Sequence, residues 1–167
     1  AGETSGEEWR HLRELARQYT QAGRFAVFPG FEFYSAETPG RPWRRLDRNV
    51  VFRDAKRAVL PPGMGSDDFR PQDAAALLRL IDPADALVIP HQHPGGDWEG
   101  PDREKMRLVE MYSHWGAYEH AGVERPFCMG DRFPRGSLVS DALAAGMRLG
   151  FVAGSDDHTG HPGHDFY

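Results

Sequence analysis

The stretch LGFVAGSDDH, residues 149–158, joins a short apolar run to a polar exit. The apolar half predicts a buried strand that leads directly into Asp156 and His158. These two residues are two positions apart, so extended geometry points both side chains the same way. One metal ion could meet both, or two ions could be bridged. Taken alone, an Asp-x-His triplet is weak, because loops are rich in Asp and Gly.

Three other apolar runs carry a potential metal ligand at or near their ends. They are FAVFPGFE at residues 25–32, ALVIPHQH at residues 86–93 and LVEMYS at residues 108–113, with Glu32, His91, His93 and Glu110 as the candidate ligands. When strands lie side by side, the residues at which they end come together at one edge of the sheet. The four runs together predict the site of a metal-dependent hydrolase.

Each candidate ligand also has a structural explanation. An ordinary surface loop could hold His91 and His93, and Glu32 could face outward between two inward-facing phenylalanines. Glu110 interrupts an apolar strand, and a buried carboxylate is costly unless it is paired or bound to a metal. An arginine such as Arg48 or Arg53 is the alternative partner for Glu110.

Helices and strands alternate along most of the sequence. Helices are predicted from Thr4 or Ser5 to Gly23, over residues 70–81, and from Ser137 or Ser140 to Gly146. Strands are predicted over residues 25–33, 48–53, 86–89, 108–112 and 149–153. Such alternation favours an α/β fold with a mostly parallel sheet.

Composition narrows the class of protein further. The 167 residues are 40% hydrophobic and carry a net charge of −5, with one cysteine. This length is sufficient for one domain with a hydrophobic core. The net negative charge gives no electrostatic support for binding nucleic acid or an anionic membrane. A single cysteine excludes an internal disulfide. No apolar stretch approaches the length of a membrane span, which indicates a soluble, cytoplasmic protein, with export as the alternative.

Five motifs in order resemble those of the PHP (polymerase and histidinol phosphatase) superfamily, and the similarity is closest to its DUF3604-type branch. They are GFEF at residues 30–33, RNVVFR at 48–53, PHQHP at 90–94, VEMYSHWG at 109–116 with Glu119, and GSDDH at 154–158. The resemblance implies one domain over residues 1–167 with a distorted TIM-like barrel of mostly parallel strands. It also implies two or three Zn, Mn or Fe ions and hydrolysis of phosphate esters.

Residue roles follow from the same resemblance. It implies that Glu32 bridges metal ions, that His91 and Glu110 are ligands from the next strands, and that Asp156 and His158 close the site, with His93 as a further ligand. Glu32 or His91 would accept a proton from the bound water. Arg48 would hold the phosphate of a small phosphorylated substrate, because a guanidinium can donate two hydrogen bonds to it.

The chain departs from the family pattern at its start. No His-x-His pair precedes Glu32, and Asp47 stands where this branch would have a histidine. The sequence therefore looks like the later part of a barrel. Two other functions remain open: an amidohydrolase-type enzyme acting on C–N or C–O bonds, and a non-catalytic module with a degenerate site.

Overall fold

Helix α1, Gly6–Tyr19, begins the part of the chain that the computed structural model describes, namely residues 6–33, 47–61, 64, 77, 79–91, 98, 106–124 and 138–161. Its first turn carries Glu7 and Glu8, whose charges favour a helix N-terminus. Trp9 and Ala16 are buried, so one face of the helix packs on the protein. The predicted first helix is confirmed.

Among the described residues, six strands and a further complete helix follow. They are β1 (Gly30–Phe33), β2 (Arg48–Phe52), β3 (Ala86–Pro90), β4 (Leu108–Ser113), β5 (Gly116–Ala117), α2 (Val139–Ala144) and β6 (Gly150–Ala153). The first strand is shorter than predicted, because Phe25 turns back to form a bridge with Gln21. β5 was not predicted from the sequence. Of the helix predicted over residues 70–81, Leu77, Arg79 and Leu80 are helical, and residues 70–76 and 78 lie outside the described part.

The expected distorted TIM-like barrel of mostly parallel strands is wrong. The described strands form two three-stranded sheets, ordered β1-β2-β3 and β5-β4-β6, and no closed barrel is present among them. Three of their four pairings are antiparallel, and only β4 with β6 is parallel. Alternation of strands and helices through most of the sequence favoured parallel pairing, whereas β5 follows β4 through a tight turn, a connection that imposes antiparallel pairing.

The first sheet packs one face against α1. Antiparallel register aligns Phe31 with Val50, and Val50 with Val88, so these three side chains share a face. They join Trp9 of α1 and Phe52 in one buried cluster. The Trp9 and Phe31 rings meet edge to face, with 5.7 Å between their centroids. This cluster holds the helix and the sheet together.

The opposite face of the first sheet carries polar side chains. Glu32 lies directly across from Asn49, which lies across from Ile89. Because directly paired residues project to the same side of a sheet, these three share the face that points away from α1. His91 follows β3, two positions beyond Ile89. The first sheet thus brings Glu32 and His91 to one side of the protein.

The second sheet lies beside the first, with β4 next to β3. Val109 of β4 is buried with Tyr118, Val139 and Met147 in a separate apolar cluster that α2 covers. At the start of α2 the Asp141 carboxylate accepts a hydrogen bond from the Leu138 backbone N–H at 2.9 Å. None of the helices in the described residues is both long and apolar enough to span a membrane.

Candidate metal centre

His91 is the central residue of the site between the two sheets. Its backbone N–H donates to the Asp47 carbonyl at 3.0 Å, which extends the pairing of β2 and β3 by one step. The side chain is only 4% exposed, and its Nδ1 lies 2.8 Å from Oε2 of Glu110, which is itself 6% exposed. A carboxylate can only accept, so Nδ1 carries the proton. This hydrogen bond connects the end of β3 to the middle of β4.

The other ring nitrogen of His91 faces two more carboxylates. Nε2 lies 3.2 Å from Oε1 of Glu32 and 3.6 Å from Oδ2 of Asp156. Glu32 belongs to β1, whereas Asp156 follows β6 at the far side of the other sheet. Their side chains are 23% and 13% exposed, so both are more accessible to water than His91. Three predicted ligands therefore surround one imidazole.

The backbone at Asp156 turns its carboxylate toward the site. Asp156 has a φ of +48°, in the left-handed region that Asp and Asn adopt more readily than most residues. Its other oxygen, Oδ1, lies 4.0 Å from Nε2 of His158, whose side chain is 57% exposed. His158 is thus at the margin of the cluster.

Acidic neighbours control the protonation of His91. Burial alone lowers the pKa of an imidazole, but the hydrogen bonds and negative charges of Glu110 and Glu32 outweigh that effect and raise the pKa of His91 to about 10. In the protein without bound ions, His91 is therefore an imidazolium at neutral pH. Metal binding at Nε2 would have to displace a proton.

The donor chemistry fits a divalent ion. Zinc binds imidazole nitrogen and carboxylate oxygen at about 2.0–2.2 Å, which puts two ligands of a tetrahedral ion about 3.3 Å apart. The separations of 3.2 and 3.6 Å from Nε2 to Glu32 and Asp156 are close to that value. Each of these pairs has the spacing of neighbouring ligands around one ion.

The cluster as a whole does not enclose an ion. Among the described residues, no group of three or more His, Cys, Asp or Glu side chains is arranged so that it could hold a metal. The pairwise distances fit an ion, whereas the complete arrangement is that of direct ion pairs around a protonated imidazole. The pairwise distances and the lack of a complete metal site are compatible if metal binding requires two changes. His91 has to lose its Nε2 proton, and the side chains of the cluster have to move slightly apart.

The remaining predicted residues are placed differently. Arg48 aligns with Phe33 and Pro90, so it lies on the α1 face of the first sheet, opposite to Glu32. It is 2% exposed, and its Nη1 donates to the Asp47 carbonyl at 2.9 Å. The strand register therefore places Arg48 and Glu32 on opposite faces of the sheet. His93 lies outside the described residues.

Two residues near the site were not predicted as functional. Asn49 shares a face with Glu32 and lies directly across from it. Asp47 is 1% exposed and joins His91 through the backbone. Alternation along RNVVF could have placed Asn49, rather than Arg48, on the Glu32 face. The sequence named Glu110 and His91 as candidate ligands but did not predict their direct contact.

A match to a known protein family includes the first part of this site. A family model described as a protein of unknown function (DUF3604) matches residues 1–95, which is more than half of the 167-residue chain. The chain belongs to the DUF3604 family. The DUF3604 match includes Glu32 and His91, whereas Glu110 and Asp156 lie beyond it. No curated protein and no solved structure matches this DUF3604 chain.

Proposed function

We propose that this DUF3604 chain is a metal-dependent hydrolase that cleaves phosphate esters with a metal-activated water. The observation that carries the proposal is the meeting of Glu32 and Asp156, from two different sheets, at Nε2 of one buried histidine. Carboxylates around an imidazole are a donor set that Zn²⁺ and Mn²⁺ use. The resemblance of five motifs to the PHP superfamily supports the same chemistry.

A bound divalent ion supplies a water with a pKa lowered toward neutrality and neutralises charge on the phosphoryl oxygens. Side chains of the protein would bind the ion and accept the proton. His91, after losing its Nε2 proton, and Asp156 would hold the ion. Glu32, which is the most exposed of the three, would accept a proton at Oε1 or Oε2 when not used as a ligand.

His158 and Asn49 are polar side chains next to Asp156 and Glu32, respectively. The side chain of His158 is more than half exposed, and its Nε2 lies 4.0 Å from Oδ1 of Asp156. Asn49 is half-buried beside Glu32 and can donate two hydrogen bonds through its amide. These two polar side chains are suited to orienting a phosphate group.

The test combines metal content with turnover. Purified protein is analysed for bound Zn, Mn and Fe, then assayed with p-nitrophenyl phosphate and with its bis-ester in the presence of added Mn²⁺ or Zn²⁺. We expect bound metal and turnover of at least one of the two esters. A protein that binds no metal and hydrolyses neither would refute the proposal.

A matched pair of variants tests whether metal binding depends on Asp156 rather than on a neighbouring carboxylate. Asp156→Asn keeps the shape of the side chain and the tolerance of the left-handed backbone, but removes the charge. Asp157→Asn is the control, since the Asp157 carboxylate accepts hydrogen bonds from Thr159 and from the His161 backbone N–H. We expect Asp156→Asn to weaken metal binding at least about 100-fold, the upper range for loss of an outer-shell partner, and Asp157→Asn to leave it unchanged.

The ion pairs themselves support one alternative, a non-catalytic module. Three carboxylates can satisfy a protonated His91 without any metal, so the cluster would then only join the two sheets. In that case Asp156→Ala lowers the melting temperature while no activity is lost. Parallel assays with amides and lactones distinguish the phosphoesterase from an amidohydrolase-type enzyme.

A further inference from the structure

We infer that Glu110 is not a metal ligand but the positioning residue of His91, an inference that rests on the proposed metal site. Both ring nitrogens of His91 contact carboxylates, but the contacts are of two kinds. Nδ1 makes the shortest contact, 2.8 Å to the buried Glu110 alone, whereas Nε2 faces two more exposed carboxylates, Glu32 at 3.2 Å and Asp156 at 3.6 Å. The shorter contact leaves no room for an ion between the two atoms.

The surroundings of Glu110 match this role. Glu110 is on β4, directly in register with Val152 of β6, and its side chain is 6% exposed. Its second oxygen, Oε1, lies near Gly154, since a Cβ built at Gly154 would be 4.0 Å from it. The Gly154 N–H donates to the Tyr112 carbonyl at 3.1 Å, so the exit of β6 is fixed to β4 at this point. Glu110 is therefore a buried carboxylate that meets His91 through Oε2 and has the exit of β6 beside its other oxygen.

Orientation of the ring has a chemical consequence. A carboxylate that accepts the Nδ1 proton selects the tautomer in which Nε2 has the free lone pair, and it makes that nitrogen a stronger donor to a metal. Nε2 is the atom that faces Glu32 and Asp156. Glu110 would thus determine which ring nitrogen binds the ion, without touching the ion or the substrate.

The first experiment measures binding and coordination with Co²⁺ as the probe. We expect Glu110→Gln to raise the dissociation constant of Co²⁺ by about 10–100-fold, the usual effect of losing an outer-shell partner. The visible absorption spectrum of the bound Co²⁺ should remain that of the wild-type protein, because the ligands are unchanged. A changed spectrum in the bound variant would mean that a ligand was lost, and the inference would be wrong.

The control is Glu14→Gln, which removes a carboxylate from the exposed Glu14–Arg17 pair of α1. It should alter neither the affinity for Co²⁺ nor the spectrum. If it weakens binding as much as Glu110→Gln does, the effect of Glu110 is one of net charge alone, and the positioning role is refuted.

A second measurement does not depend on metal. In protein labelled with ¹⁵N-histidine, the His91 Nδ1 should carry a slowly exchanging, hydrogen-bonded proton, with and without Zn²⁺, and Glu110→Gln should shift its resonance. A wild-type His91 without a proton on Nδ1 overturns the inference, even if Glu110→Gln does not fold. If that proton is present but the wild-type protein takes up no metal, the proposed function is refuted, although the hydrogen bond between Glu110 and His91 is real. The role of Glu110 in positioning a metal ligand is then rejected as well.

Discussion

Raising the pH should destabilise the metal-free protein through His91. The native pKa of His91 is raised to about 10 because Glu110 and Glu32 favour the protonated ring, whereas an unfolded chain would have the ordinary value of 6.5. Between these two values the native state binds one more proton than the unfolded state. The free energy of unfolding therefore has its full contribution from this residue below pH 6.5 and loses it as the pH rises through about 10.

The size of the effect follows from the same two values. The interval from 6.5 to about 10, at about 1.4 kcal/mol for each pKa unit, corresponds to about 5 kcal/mol. An independent estimate agrees, because breaking a buried ion pair costs about 3–5 kcal/mol. Over the range from pH 6.5 to 9, below the pKa values of Lys and Tyr, we expect a loss of about 3 kcal/mol.

Urea denaturation of chelator-treated protein measures this loss. The free energy of unfolding is determined at half-unit steps from pH 6 to 9 for the wild-type protein and for the His91→Gln variant. We expect the wild-type value to fall by about 1.4 kcal/mol per pH unit relative to the variant. Parallel profiles, or a wild-type stability that rises with pH, would refute the assignment of a protonated His91 held by acidic neighbours.

Three further outcomes test the core, the first sheet and the metal site. Phe52→Ala should lower the free energy of unfolding by about 3–5 kcal/mol, because Phe52 is 1% exposed in the cluster under α1; an effect in urea denaturation no larger than that of Val51→Ala on the other face would contradict this. Gly30→Ala should destabilise the pairing of β1 with β2, since its Cβ would lie 2.6 Å from the Val50 carbonyl oxygen, while Gly6→Ala, with nothing within 4 Å of the new Cβ, should be neutral or stabilising by up to about 1 kcal/mol. Equal melting temperatures for these two variants would disprove the close approach. Finally, Mn²⁺ or Zn²⁺ at about 100 times its dissociation constant should stabilise the native state by about 2.7 kcal/mol, and calorimetry that shows no upward shift in the melting temperature would argue against a native metal site.

Local elements and candidate ligands could be read from the sequence, but the topology could not. Helical spacing from Trp9 to Tyr19 and the apolar runs before His91 and Asp156 predicted α1, β3 and β6 in nearly their observed places. The strand pairing was missed because direction depends on how the intervening chain returns, and residues 34–46 carry turn signals rather than a helical pattern. Parallel and antiparallel strands of this length have similar local sequences.

The sequence by itself indicated which side chains are candidate metal ligands and roughly where the strands lie, because composition and periodicity are local properties. Glu32, His91, Glu110 and Asp156 were all found in this way. Only the tertiary structure shows how these four side chains are arranged. It brings Glu32 and Asp156 to one ring nitrogen and Glu110 to the other, and it turns Arg48 to the opposite face of its sheet. The physical reason is that distances and register between strands far apart in sequence are set by packing, and a change of one residue in register reverses every side chain.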